Sequence, residues 1–460
     1  MYYCYNGNAY VIKECFHLSQ FDFTDGRIIG QLMRFSGPIM LTNLLQVSYQ
    51  FIDSLWIGNL LGANALGAVT VSSTVVAVVL SFILGINNAT LTILSQQKGK
   101  EDNQGLKNYI NAFVILLTTL SFLIGMMGYV FSVPILQMLN TPDEMLQDAS
   151  VYLKINFLGI LFLIVYNFIS TVLRAMGDSK TPLKFVTIAA ALNTFLDPLF
   201  INVFNWGIEG AAYATVLSQG IAFLLGIIYS QKRRLVPFSI PSIPKREEIH
   251  LILKLGIPSG LQMTVILAGV SAIMSVVNGF GGEVVAGFGA AQRIDSLITL
   301  PAMALGTAVN SMAGQNIGAK RWDRVRQIAI FGAVYNLVIM VIIAIMIVLL
   351  AGPLIRLFIN EPEAAAFGQN YLRIIAFFYP FIGLNFILNG IVRGSGAMYQ
   401  VLILNILSFW LLRYPFTYVC SELFGENGIA IGMGISFIIS SIFAFSYYRW
   451  GKWRRKKLFV

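Results

Sequence analysis

Long apolar stretches dominate the chain, and short polar connections separate them. An α-helix that crosses a membrane needs about 20 mostly apolar residues. Windows of that length give roughly twelve candidate spans. Their centres lie near Leu45, Val76, Leu117, Leu161, Ala190, Gly220, Leu267, Leu300, Val341, Leu384, Ile406 and Ile435. The pattern therefore predicts an all-α polytopic membrane protein with twelve transmembrane helices.

The first half of this pattern recurs in the second half at an offset near 220 residues. Matching positions include Pro38 and Pro258, Gln96-Gly99 and Gln315-Gly318, Tyr152-Leu153 and Tyr371-Leu372, and Arg174 and Arg393. Internal repeats of this kind are typical of transporters built from two similar bundles. Six spans per half give both halves the same orientation, so we expect two six-helix bundles with a cavity between them.

The repeat and the connections predict five segments. An N-terminal cytoplasmic segment covers residues 1–26, and the first six-helix lobe covers residues 27–230. A basic, proline-containing linker follows at residues 231–254. The second lobe covers residues 255–449, and a basic tail covers residues 450–460.

The distribution of charge orients the chain in the membrane. Hydrophobic residues make up 57% of the chain and charged residues 11%, which is far from the usage of soluble proteins. Most of the 31 Lys and Arg residues lie on alternate connections, and the positive-inside rule predicts that this side, with both termini, is cytoplasmic. Membrane topology thus accounts for the positions of the basic residues. We therefore expect them to contact anionic membrane lipid and not to bind nucleic acid. The predicted location is the cell membrane.

Ionisable residues inside a span are costly and therefore mark candidate functional sites. The first span contains Asp53, and helical spacing places Gln46, Tyr49 and Gln50 on or next to the same face. Such a polar stripe is unfavourable against lipid and favourable along a wet cavity. The alternative is that Asp53 lies at the outer headgroup level.

The fifth span carries a second polar cluster. Asn193 and Asp197 are one helical turn apart, and Pro198 leaves the carbonyl of Thr194 without its helical donor. Oxygen ligands suit hard cations, so the cluster could bind a proton or a small cation. The alternative is a structural pair that relieves a proline kink.

The second half contains fewer candidates. Arg293 and Asp295 are close enough in sequence to suggest a local ion pair at the start of the eighth span, with structural and functional roles equally open. Asn385 and Asn389 of the tenth span could contact substrate or serve in polar packing. The connections carry no Walker loop, zinc spacing or Ser-His-Asp order, so we predict neither an enzyme nor a bound cofactor or metal cluster.

Several motifs together resemble the multidrug and toxic compound extrusion (MATE) family. They are the stretches 51–58, 173–178, 192–198, 301–306 and 314–319. The resemblance covers about residues 22 to 450. It implies a V-shaped pair of six-helix bundles that exports lipophilic, often cationic drugs or toxins by alternating access, as an antiporter driven by H⁺ or Na⁺.

The resemblance is nearest to the bacterial DinF-like type, and it implies an ion site in the first lobe. Asp53, Asn193 and Asp197 match the residues of that cation site, which would hold H⁺ or Na⁺. The chain departs from the other branches because its seventh span has no glutamate, which argues against a sodium site in the second lobe. A flippase for lipid-linked precursors is the alternative function. Since the two lobes enclose their own cavity, we expect a monomer.

Overall fold

The computed structural model describes residues 22–232, 236–237 and 242–459, and its regular secondary structure there is helical. Most of the predicted N-terminal segment, part of the predicted linker and the last residue of the predicted tail lie outside these ranges. The first six spans are formed by α1 (Ile28–Leu61), α2 (Ala63–Gly99), α3 (Asn103–Met138), α4 with α5 (Asp143–Leu158, Ile160–Ala175), α6 (Lys180–Pro198) and α7 (Gly207–Lys232).

The second six spans follow the same plan. They are α8 (Arg246–Asn278), α9 (Gly282–Gly318), α10 (Trp322–Arg356), α11 with α12 (Pro362–Ala376, Tyr379–Gly394), α13 with α14 (Met398–Ile406, Tyr414–Phe424) and α15 (Asn427–Trp450). A π-helical turn, Leu199–Val203, extends α6, and a second one, Leu407–Arg413, joins α13 to α14.

Apolar length alone accounts for all spans except the first. Within the described ranges, nine helices are long and apolar enough to cross a membrane, or eleven when each bent helix pair counts as one span. The helix α1 is long enough at 34 residues, but Gln46, Gln50 and Asp53 lower its hydropathy. With α1, the fold has the predicted twelve spans. The weakest span by composition is therefore the one with the polar stripe.

The repeat is visible in where the helices break. The fourth span bends by 49° between α4 and α5, and the tenth bends by 53° between α11 and α12. The fifth and eleventh spans each contain a π-helical turn, the first of them directly after Pro198. Proline provides no backbone N–H to the preceding turn, and π-helical turns are frequent at functional sites.

The first span belongs to both lobes. Its N-terminal half buries Ile28, Leu32 and Phe35 in one apolar cluster with Ala304 and Leu305 of the eighth span. Its C-terminal half approaches the fifth span of its own lobe. Changes around Asp53 can therefore reach the interface between the lobes through one continuous helix.

Glycines allow the lobes to meet closely on the side of the membrane where the first span begins. A Cβ atom on Gly99 would lie 1.9 Å from the carbonyl oxygen of Gln315, and one on Gly318 would lie 2.1 Å from that of Gln96. Both distances are far below van der Waals contact. Only glycine permits this symmetric approach of the second and eighth spans.

The glutamines of the same repeated motif form hydrogen bonds between the two lobes. The side chain of Gln96 donates a hydrogen bond of 2.7 Å to the carbonyl of Gly394 in the opposite lobe. The side chain of Gln315 donates one of 2.9 Å to the carbonyl of Ala175. We call this set of six residues the inter-lobe seal: Gln96, Gln315, Ala175, Gly394, Gly99 and Gly318.

We predict that Gly99→Val separates the lobes at the seal, because the added side chain would overlap the Gln315 carbonyl. Spin labels on exposed Lys107 and Arg326 should report a longer inter-lobe distance in the variant. Gly289→Val is the matched control, since its Cβ would meet no atom within 4 Å. An unchanged distance distribution in Gly99→Val would contradict this view of the seal.

Candidate functional site

The first lobe brings the polar residues of the first and fifth spans together. Asn193 donates a hydrogen bond of 3.1 Å to a carboxyl oxygen of Asp197, and its amide also contacts the Thr215 hydroxyl at 3.4 Å. Asp53 and Asp197 lie close enough for their carboxyl groups to interact. Two carboxylates at short range repel each other, so the pair favours a bound proton or cation.

Three buried oxygen atoms of this cluster have no hydrogen-bond partner among the residues that the structure describes. They belong to Asp53, Asn193 and Asp197, one atom from each side chain. Asp197 is fully buried, and Asn193 is 2% exposed. A buried oxygen without a donor is costly. The cluster therefore offers carboxyl and amide oxygens to a proton or a hard cation.

The fifth span places these groups through its local geometry. Asn193 and Asp197 are four residues apart and lie one above the other on the helix. Pro198 follows directly, and the π-helical turn Leu199–Val203 begins behind it. The cluster thus lies where the regular helix ends, next to backbone that can change its hydrogen bonding.

A small cavity adjoins the cluster. Its volume is about 90 Å³, and Gln46, Tyr49 and Gln50 of the first span line it together with Asn193. Other polar groups on its wall come from the fourth and sixth spans: Tyr166, Asn167, Thr215, Ser218 and Gln219. The polar stripe of the first span thus faces the interior of the lobe.

Several of these groups were absent from the sequence-based candidates. Tyr152 lies near Asp53, and Gln219 lines the cavity together with the predicted Tyr49. The repeat did pair Tyr152 with Tyr371, which was a signal that both positions matter. Nothing in the linear pattern singled out Thr215 or Gln219, because their neighbours come from other spans.

In the second lobe, the predicted ion pair between Arg293 and Asp295 is wrong. Asp295 accepts hydrogen bonds from the hydroxyls of Tyr371, at 3.0 Å, and Tyr379. The Arg293 guanidinium lies over the Phe358 ring, 5.8 Å from its centroid. Residues two apart on a helix do not face each other, so proximity in sequence did not bring the charges together.

The two asparagines of the tenth span hydrogen-bond with each other. The Asn389 amide donates to the side-chain oxygen of Asn385, one turn earlier. Asn389 is buried, and its own side-chain oxygen has no partner in the part of the chain that the structure describes. Contact of these residues with substrate stays a prediction.

Two six-helix lobes, broken spans and a buried oxygen cluster beside a cavity define a membrane transporter of the two-repeat class. Comparisons with known proteins identify the family within this class. The MatE family model matches residues 38–199 and 258–419. The chain therefore belongs to the MATE family of transporters.

The relatives agree with this assignment. The chain is 64% identical to the probable multidrug resistance protein YpnP of Bacillus subtilis, over 96% of this chain and 100% of that protein. It is 26% identical to the probable multidrug resistance protein NorM of Thermotoga maritima, with 93% of each chain covered. The MATE transporter VcmN of Vibrio cholerae in its bent form superimposes with a TM-score of 0.88, at 22% identity over 93% of this chain and 97% of that one.

We predict that protons or Na⁺ stabilise the folded protein through the buried oxygens of the first lobe. A ligand that binds only the folded state raises its stability by mass action. The melting temperature of the wild type should therefore rise with added Na⁺ or with falling pH. Asp197→Asn should lose that rise, whereas Asp143→Asn at the exposed start of α4 should keep it. Equal responses in all three proteins would contradict an ion site at Asp197.

We also predict that Tyr371→Phe lowers the melting temperature, since Asp295 loses a buried donor worth about 1.5–3 kcal/mol. Combining Tyr371→Phe with Asp295→Asn should cost less than the two single changes together. Strict additivity in this double-mutant cycle would show that the two side chains do not interact.

Proposed function

We propose that the chain is a secondary active antiporter that exports lipophilic, often cationic drugs or toxins across the cell membrane. An H⁺ or Na⁺ gradient drives export through Asp53, Asn193 and Asp197. The observation that carries the proposal is the set of three unpartnered buried oxygens beside the cavity. The names of the relatives support multidrug efflux as the activity.

In this proposal the ion and the drug bind alternately near the same negative charge. A cationic compound in the cavity meets Asn193 and the polar face of the first span, close to the Asp53–Asp197 pair. A bound proton neutralises the carboxylate that attracts the drug, and a bound Na⁺ also repels a second cation at such short range. A bound proton or Na⁺ therefore weakens drug binding, and a bound drug expels the ion.

The breaks in the helices allow ion binding to change the conformation of the lobe. Occupation of the cluster changes the interactions of Asp197, which lies directly before Pro198 and the π-helical turn Leu199–Val203. Because the first span packs on both lobes, a shift at Asp53 also reaches the second lobe. We infer that ion binding and release change the state of the inter-lobe seal.

Either ion is compatible with the carboxyl pair. A proton would be shared between Asp53 and Asp197, whereas Na⁺ would take both carboxylates as ligands. The distribution of Lys and Arg favours a cytoplasmic position for both termini.

The proposal also includes contact with membrane lipid and a monomeric state. Large apolar side chains such as Phe122, Phe195 and Leu349 are exposed, as expected for a surface that contacts lipid tails. Each pair of lobes contains its own candidate site. We therefore propose that a monomer in the membrane is sufficient for transport.

The test is efflux of ethidium from proteoliposomes that hold the purified protein, with a pH or a Na⁺ gradient imposed separately. We expect wild-type efflux under one gradient and leakage at the rate of protein-free liposomes for Asp53→Asn and Asp197→Asn. Asp143→Asn is the matched control for the loss of a carboxylate.

Undiminished gradient-driven efflux by Asp197→Asn would overturn the proposed site. Absence of wild-type efflux under either gradient would overturn the exporter and favour the flippase of lipid-linked precursors.

A further inference from the structure

The C-terminal tail crosses the inter-lobe seal, and the proposed ion coupling does not use it. The tail comprises residues 451–459, which follow α15 of the second lobe and begin with the 3₁₀ turn Lys452–Arg455. Its last described side chains, Leu458 and Phe459, pack against the apolar core of the first lobe. The tail therefore joins the two lobes directly.

Trp453 fixes the start of the tail to the second lobe. Its side chain is 1% exposed, and its ring N–H donates a hydrogen bond of 2.8 Å to the carbonyl of Tyr448 in α15. The Trp453 ring stacks on the Tyr448 ring at 5.5 Å and lies 6.1 Å from the ring of Trp322 in α10. A buried tryptophan with its N–H satisfied is a firm attachment. We therefore expect this part of the tail to move with the second lobe.

Phe459 holds the end of the tail on the first lobe. Its ring meets the ring of Tyr109 in α3 edge to face, with centroids 5.6 Å apart. The ammonium group of Lys100, directly after α2, lies 4.6 Å from the centroid of the Phe459 ring. Both contacts are attractive. Because Phe459 is only half-buried, its release exposes less apolar surface than the release of Trp453 would.

The two attachments lie on opposite sides of the inter-lobe seal. Lys100 directly follows Gly99 of the seal in the first lobe. In the second lobe, Gly396 lies two residues beyond Gly394 of the seal, and a Cβ atom on Gly396 would overlap the side chain of Leu458. Leu458 and Phe459 are neighbours in sequence, so their Cα atoms are about 3.8 Å apart. The tail cannot keep both contacts when the lobes separate at the seal.

We infer that the tail is a strap that holds the inter-lobe seal closed, and that Phe459 must leave the first lobe before the seal can open. The tail thereby favours one of the two states between which a transporter alternates. The inference rests on the proposed function only where it assigns opening of the seal to the transport cycle.

The first experiment measures how often the seal opens. Ser95 is fully buried and lies across the lobe interface from Ser311, with the two hydroxyl oxygens 3.3 Å apart. The reporter is Ser95→Cys in the full-length protein, with the three native cysteines changed to serine. A water-soluble maleimide reaches this thiol when the seal opens. When labelling is slow compared with closing, its rate follows the population of the open form.

We expect Phe459→Ala to raise the labelling rate about tenfold, because an aromatic pair and a cation–π contact together shift an equilibrium by about that factor. Trp450→Ala is the matched control, since it removes a ring that is 73% exposed near the start of the tail, and it should keep the original rate. An unchanged rate in a folded Phe459→Ala, or an equal rise in Trp450→Ala, would overturn the inference.

The second experiment prevents the release of Phe459. Tyr109→Cys and Phe459→Cys are combined in the same cysteine-free background and joined by a short, reducible bis-methanethiosulfonate reagent. Cross-linking in proteoliposomes should reduce gradient-driven ethidium efflux to the rate of protein-free liposomes, and dithiothreitol should restore it. Each single cysteine variant, treated with the same reagent, should keep its efflux.

Full efflux by the cross-linked protein would overturn the strap, because transport would then proceed with the tail held on the first lobe. Absence of efflux in the reduced double-cysteine protein under either gradient would instead count against the proposed function. The labelling rates would still decide the role of the tail in that case, since they require no transport.

Discussion

A carboxylate in the hydrocarbon layer needs a proton, a cation or several donors, and this constraint decides how the first lobe works. Asp53 and Asp197 lie near each other inside the bundle, and in the described part of the chain one oxygen of each has no hydrogen-bond partner. Desolvation makes two adjacent negative charges unfavourable, so the pair needs a positive partner. In the proposed function, an exchangeable ion or a cationic compound is this partner, and the alternation between the two couples their movements.

The two repeats share the same backbone features but differ in the side chains of their interiors. Both lobes have a bent fourth span, a π-helical turn in the fifth and the same glutamine and glycine at the inter-lobe seal. These features depend on close approach of helices, which tolerates few side chains. The bundle interiors differ, with Asp197 near one π-helical turn and Arg413 at the end of the other.

The sequence predicted those features that depend on position along one helix. Apolar length marked the spans, and helical spacing placed Gln46, Tyr49 and Gln50 on a face that lines the cavity. Spacing also joined Asn193 to Asp197. The offset between the halves also paired the glutamines and glycines that form the inter-lobe seal, although it did not predict their contacts.

Features that depend on packing between spans could not be predicted in this way. The partners of Asp295 lie 76 and 84 residues away, in a span that returns beside it. Sequence proximity instead suggested Arg293, which faces elsewhere. The proximity of Asp53 to Asp197 likewise required the crossing of the first and fifth spans, and the place of Arg413 between two rings also depends on packing between spans.

The central claim is that ion and drug exclude each other at the Asp53–Asp197 pair, and ion release on drug binding tests it most directly. Calorimetric titration of ethidium into the purified protein, in buffers of different ionisation enthalpy, gives the number of protons released, and displacement of radioactive Na⁺ gives the corresponding number for sodium. The account predicts that the wild type releases an ion as it binds ethidium and that Asp197→Asn binds ethidium without such release. Binding of ethidium to the wild type with neither proton nor Na⁺ release would contradict it.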